Sequence, residues 1–131
     1  MKTKKILFLI FINLGYTIMF GQGENDNWYF GTQAAVNFSG SNAIALTNSN
    51  MYALEACGSV SDANGNLLFY MNGEKIWNRD HQVMPNGTLI APYQNDTAQQ
   101  LSIVKNPANT NQYFVFTTGQ NYIGDTAYAK L

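Results

Sequence analysis

One cysteine, one histidine and three prolines in 131 residues remove several kinds of protein from consideration. A lone Cys57 excludes an internal disulfide framework, so stability has to come from packing or from more chain. Cys57 and His81 could be paired on paper as nucleophile and base, but no family-type motif surrounds either; between Ala56 and Gly58 the cysteine reads as a small buried strand residue. Basic residues are scarce too. Beyond position 21 only Lys75, Arg79, Lys105 and Lys130 are basic, against Glu24, Asp26, Glu55, Asp62, Glu74, Asp80, Asp96 and Asp125, a formal charge of −4. Four scattered cations make no phosphate-binding surface, which argues against nucleic acid as a partner. The chain also lacks a P-loop, a dinucleotide fingerprint, a paired-cysteine metal site and a hydrolase elbow. No catalytic, cofactor-binding or metal-binding residue is therefore assigned, and no cofactor is expected.

The one long apolar run lies at the start. Met1-Lys2-Thr3-Lys4-Lys5 supplies a positive opening, residues 6–12 are apolar, and the run continues more weakly to Phe20. About fifteen residues separate Lys5 from Gly21, fewer than the roughly twenty a spanning helix needs. Residues 1–21 are read as a cleaved signal peptide, forming a helix, with cleavage near Gly21 or Gln22 and no stable membrane span afterwards. No cysteine near that junction supports a lipid anchor. The expected destination is outside the cytoplasm: periplasmic, cell-surface or extracellular.

What the chain has in quantity is turn residues between aromatic and β-branched runs. Seventeen asparagines and 11 glycines accompany 14% aromatic residues, which predicts an all-β protein of short antiparallel strands. A strand hairpin is expected over 27–38, with Val36 and Phe38 on one face, followed by a polar loop at 39–50 that holds at most one short strand around 44–46. A blade-like triplet is expected over 53–79: strands at 53–60, 66–71 and 75–78, with turns at 61–65 and at Asn72-Gly73. Residues 81–88 read as a loop. A second triplet is expected over 98–131, with strands at 98–104, 112–118 and 126–131. Matching Val60 to Val104 and Leu68 to Phe114 gives shifts of 44 and 46 residues, the spacing of propeller blades. Residues 22–131 are thus read as a partial β-propeller of about two blades.

Asn27-Trp28-Tyr29-Phe30-Gly31, the run Glu55-Ala56-Cys57-Gly58-Ser59-Val60-Ser61-Asp62, and Gly65-Asn66-Leu67-Leu68-Phe69-Tyr70 together resemble the amino-terminal part of a family of large exported β-propeller proteins. These are cargo of the type IX secretion system of gliding and related bacteria. The likeness continues through Trp77-Asn78, His81-Gln82-Val83-Met84 and Asn86-Gly87, and then through Gln99, Ile103-Val104 and residues 113–117. It implies an exported propeller followed by further modules and a carboxy-terminal type B sorting domain. This sequence reaches Leu131 within the second triplet, whereas closed propellers use about 4 to 8 blades. The expectation is therefore a fragment of a larger secreted protein, whose partners are the remaining blades of a longer chain or another copy of itself, with surface polysaccharide or protein as a further ligand.

Three chemical constellations compete with structural readings. Asp62, Asn64 and Asn66 alternate around Gly65 like oxygen ligands of a calcium loop, but the remaining ligands are missing, and a polar hairpin turn is expected. Glu55, Glu74, Asp80 and Asp96 could supply the two acids of glycoside hydrolysis, although scattered acids on a negative surface need no such role. Trp28, Trp77, Tyr70 and Tyr113 could stack on sugars, but their strand positions favour packing between blades. The triplets starting at Asn37, Asn86 and Asn95 match a glycosylation acceptor pattern, as chance produces in an asparagine-rich chain. The reading that follows is a non-catalytic scaffold or interaction module; the alternative is part of an extracellular carbohydrate-active enzyme whose site forms only in the complete propeller.

Overall fold

The computed structural model describes residues 23–88, 101–119 and 126–130. The expected signal peptide lies outside them, as do Asp96 and residues 98–100 of the expected third-sheet strand. After a short 3-10 turn at Gly23–Asn25 come nine strands in three antiparallel sheets of three, each a simple meander. Sheet 1 is β1 (Asn27–Phe30), β2 (Ala34–Asn37) and β3 (Ile44–Leu46). Sheet 2 is β4 (Gly58–Ser61), β5 (Leu67–Met71) and β6 (Ile76–Asn78). Sheet 3 is β7 (Leu101–Lys105), β8 (Tyr113–Gly119) and β9 (Thr126–Lys130). Among the described residues there is no α-helix, and none long and apolar enough to cross a membrane.

The all-β expectation holds, with three corrections. The segment at 27–38 is a complete sheet and not a lone hairpin, because Ile44–Leu46 pairs with β2, setting Ala45 opposite Val36. Three sheets therefore stand where about two blades were expected. The strand expected over 53–60 is confined to Gly58–Ser61, because the chain just before it finds other partners. Ala53 N donates to Gly31 O, Gln33 N to Met51 O, and the Asn72 amide to Tyr52 O, which satisfies the backbone without a ladder. Finally, the repeat matches Val104 and Phe114 with Val60 and Phe69, not with Leu68, since those are the paired residues in each sheet. The reason is a bulge: the β4–β5 register shifts between Val60 and Ser61, setting Ser61 opposite Leu67 and leaving Leu68 as the extra residue. The repeat is uneven as well, with β1, β4 and β7 starting at Asn27, Gly58 and Leu101, steps of 31 and 43 residues.

The sheets stack face to face in chain order, with β4 beside both β1 and β7. Alternation of side chains across each strand decides which residues meet. Tyr29 and Ala35 of sheet 1 face Tyr70 and Trp77 of sheet 2, and Met51 and Ala53 fill the space between them. Tyr70 and Met51 are fully enclosed, at 0% exposure. On the other side of sheet 2, the Phe69 ring meets Tyr113 edge-on at 5.4 Å. Gly58 lies under β7 so closely that a Cβ there would sit 3.1 Å from side-chain carbons of both Leu101 and Ile103. The bulge makes both contacts possible at once: Leu67 packs into the first interface while Leu68 and Phe69 both line the second.

Candidate functional site

The polar centre of the molecule is the β1–β4 seam, where two strand edges meet through side chains. Ser59 Oγ accepts from Tyr29 N at 3.2 Å and donates to Asn27 O at 2.6 Å. The Asn27 amide donates to Ser61 Oγ at 3.0 Å and to Gly65 O at 2.7 Å, while its oxygen accepts from the Asn37 amide at 2.8 Å. Every polar atom of the Asn27 side chain is thus occupied by the fold, and so is the amide of Asn37, first residue of one acceptor triplet.

Beside the seam opens a groove of about 580 Å³ lined by Asn25, Trp28, Phe30, Cys57, Gly58 and Ser59. Cys57 is half-buried against the core. No hydrogen bond joins it to His81 among the described residues. His81 Nδ1 instead lies 3.3 Å from Tyr70 Oη, and its ring leans on both Tyr29 and Tyr70 at 5.9 and 5.7 Å. The cause is local. Asn78 accepts from the backbone N–H of Asp80, His81 and Gln82, and His81 takes φ 60°, a left-handed conformation that histidine tolerates better than most residues. The ring is thereby turned inward over the Tyr29–Tyr70 stack, whose centroids lie 4.4 Å apart, and Trp77 also stacks with Tyr70 at 5.4 Å. Burial raises the hydroxyl pKa of both Tyr29 and Tyr70.

The chain matches no family model, no curated protein and no solved structure.

The other residues singled out in the sequence fall into place by contact. Tyr70, Trp77 and Tyr113 pack between sheets, as their strand positions suggest. Trp28 does not: it stands 56% exposed on the outer face of sheet 1, edge-on to Phe38 at 5.4 Å, its indole N–H donating to Asn25 O. The Asp62 carboxylate is consumed by its own turn, accepting from Asn64 N and Asn66 N at 2.9 Å each and from the Asn66 amide at 3.0 Å. Those bonds, the Asn66 amide foremost, hold its pKa below the usual carboxylate range. Glu55, Glu74 and Asp80 sit in three separate connections: before β4, between β5 and β6, and after β6. Among the described residues no group of three or more His, Cys, Asp or Glu side chains is placed to hold a metal ion.

Uncovered sheet faces follow from an incomplete set of blades, but the residues that form the two end faces of the stack were not identified from the sequence. Trp28, Phe30, Val36 and Phe38 share the outer side of sheet 1, and Val104, Phe114 and Phe116 the outer side of sheet 3. Exposures of 39–56% at Trp28, Phe30 and Phe38, and of 47% and 42% at Val104 and Phe116, mark both faces as apolar surface in contact with solvent. The signal was present as aromatic residues on both alternating sets of β1 and β8, a pattern of strands covered on two faces.

Proposed function

We propose that this chain is an exported segment of a β-propeller, serving as a non-catalytic scaffold or interaction module at the cell surface or outside the cell. The observation that carries this reading is the stack itself: three meanders laid face to face, first strands adjacent, and an apolar face at each end where a further blade would pack. Sheet 2 adds a detail in its favour. Beyond β6 the chain turns back, with Trp77 bridged to Val83, Asn78 N donating to Gln82 O and Met84 N to Ile76 O, which approaches the four-stranded blade of a propeller. Export rests on the signal-peptide pattern and on the resemblance to type IX secretion cargo. Cell fractionation with amino-terminal sequencing tests it: a mature end near Gly21 or Gln22 outside the cytoplasm supports the reading, and an uncleaved cytoplasmic chain overturns it.

One observation favours a second reading. The groove at the β1–β4 seam carries the indole of Trp28 beside the Asn25 and Ser59 positions, the chemistry of an aromatic platform for sugars. On that reading the chain is part of a carbohydrate-active enzyme completed by further blades. Polysaccharide turnover by the assembled protein, with Glu55→Gln and Trp28→Ala variants, discriminates: activity abolished by either supports the enzyme, and absence of turnover leaves the scaffold.

A further inference from the structure

The enclosed hydroxyl of Tyr70 has hydrogen bonds that can be assigned proton by proton. Its oxygen accepts from Asn50 N at 3.0 Å and is hydrogen-bonded by the Ser49 side chain. Ser49 is buried too, and its Oγ already accepts from Met51 N at 3.2 Å, so the proton between Ser49 and Tyr70 is the one Ser49 gives. With two donors on its oxygen, Tyr70 has its own proton left to place, and His81 Nδ1 stands 3.3 Å away to take it. Tyr29 does not compete, because its hydroxyl donates to Asn48 Oδ1 at 3.1 Å. The accounting closes with a neutral His81 that carries its proton on Nε2.

The same residues tie the turn after β6 to the first interface. Asn50 grips both sides of it, its backbone N–H on Tyr70 Oη and its side-chain amide on His81 O at 2.8 Å. The titratable groups facing the imidazole are Tyr29 from β1 and Tyr70 from β5. The 48–51 segment brings Asn48, Ser49 and Asn50, all uncharged, and on its own turn His81 follows Arg79, which acts on Asp62, and Asp80. Among the described residues no carboxylate lies within ion-pair distance of the ring. A second proton, on Nδ1, would point at the Tyr70 proton and strand a hydroxyl sealed from solvent at 0% exposure. Attraction of an imidazolium for the tyrosine faces opposes this, but His81 is half-exposed, and water weakens that attraction without reaching the hydroxyl.

We infer that His81 is an acid-sensitive latch on the contact between sheets 1 and 2: neutral, it holds the Tyr70 proton through Nδ1, and protonated, it leaves the Tyr29–Tyr70 stack and releases the 78–82 turn. Histidine gains its proton across the range from about pH 8 to 5, above the range in which carboxylates respond.

Nuclear magnetic resonance of the purified protein between pH 8 and pH 5 tests the inference, with far-UV circular dichroism on every sample. At pH 8 the His81 ring should carry its proton on Nε2 and show contacts to Tyr29 and Tyr70. By pH 5 those contacts should be lost, and the Asn50 amide signal and Trp77 fluorescence should shift in step with protonation of the ring. His81→Asn, neutral at both pH values and tolerant of the left-handed backbone, should remove that shift. A proton on Nδ1 at pH 8, ring contacts that persist in the protonated form, or the wild-type shift retained in His81→Asn would each overturn the latch. The first two outcomes are read on the wild-type protein and decide the matter even if the variant fails to fold.

Discussion

The hydroxyl of Ser59 occupies the free edge of β1 beside Tyr29, accepting from Tyr29 N at 3.2 Å while donating to Asn27 O at 2.6 Å. One side chain thus supplies what a neighbouring strand would supply, and the edges of two sheets are joined without a ladder between them. Ser59→Ala should destabilise by about 1–3 kcal/mol, because a half-buried donor and an acceptor lose their partner together. Ser59→Thr, which keeps the hydroxyl on a strand-favouring side chain, should restore most of it. Urea unfolding reads the result as a lower midpoint for the alanine variant at unchanged slope.

Tyr70 ties together the first interface: its ring stacks with both Tyr29 and Trp77, and its hydroxyl accepts from Asn50 N at 3.0 Å. Tyr70→Phe should cost about 1–2 kcal/mol through the orphaned Asn50 N–H. Tyr70→Ala should cost about 3–5 kcal/mol by opening a cavity in the stack. A similar loss for both variants in thermal or urea unfolding would contradict the division between hydroxyl and ring.

Burial raises the pKa of Tyr29 and Tyr70 above the ordinary 10.0, which fixes the sign of an alkaline effect. Below pH 10 both states keep the phenols protonated and this contribution to stability is complete. As pH rises past the unfolded value toward the folded one, the unfolded chain releases protons that the folded chain retains, so stability falls. Tyrosinate absorbance should show late-ionising tyrosines in the folded protein, and Tyr70→Phe should make the alkaline loss of stability shallower.

Asp62 works at the other end of the scale. Its depressed pKa means that its contribution is present above the unfolded carboxylate range and is lost as pH falls through the folded value. Asp62→Asn keeps an acceptor for the turn and should flatten the acid limb of a stability–pH profile. Gly65→Ala in the same turn should destabilise by at least about 1 kcal/mol, since φ is 83° and a Cβ there meets the Asp26 carboxylate. A neutral Gly65→Ala would contradict the turn geometry.

Apart from β4, expected to begin at 53 and found to begin at Gly58, strand positions in sheets 2 and 3 were legible because asparagine and glycine punctuate β-branched and aromatic runs there, and the turns at Asp62–Gly65 and Asn72–Gly73 form as expected. The strand at Ile44–Leu46 was readable only as a weak apolar patch, since three residues carry little periodicity and its membership in a sheet depends on β2. The shift at Leu68 was hidden because a bulge leaves no mark in an apolar run such as Leu67-Leu68-Phe69. His81 was visible as a residue but not as a neighbour of Tyr70, a contact set by a left-handed backbone and the three N–H groups gathered by Asn78. The end faces required the sheets to be stacked before any side chain could be seen as uncovered.

The central claim is that these sheets are consecutive blades of one propeller-type stack, and an electron-density map of the protein in its assembled form tests it most directly. The account predicts β1, β4 and β7 side by side along one axis, with a further antiparallel sheet packed on Trp28 and Phe30 and another on Val104 and Phe116. Finding both faces bare to solvent, or covered by helices, would contradict it.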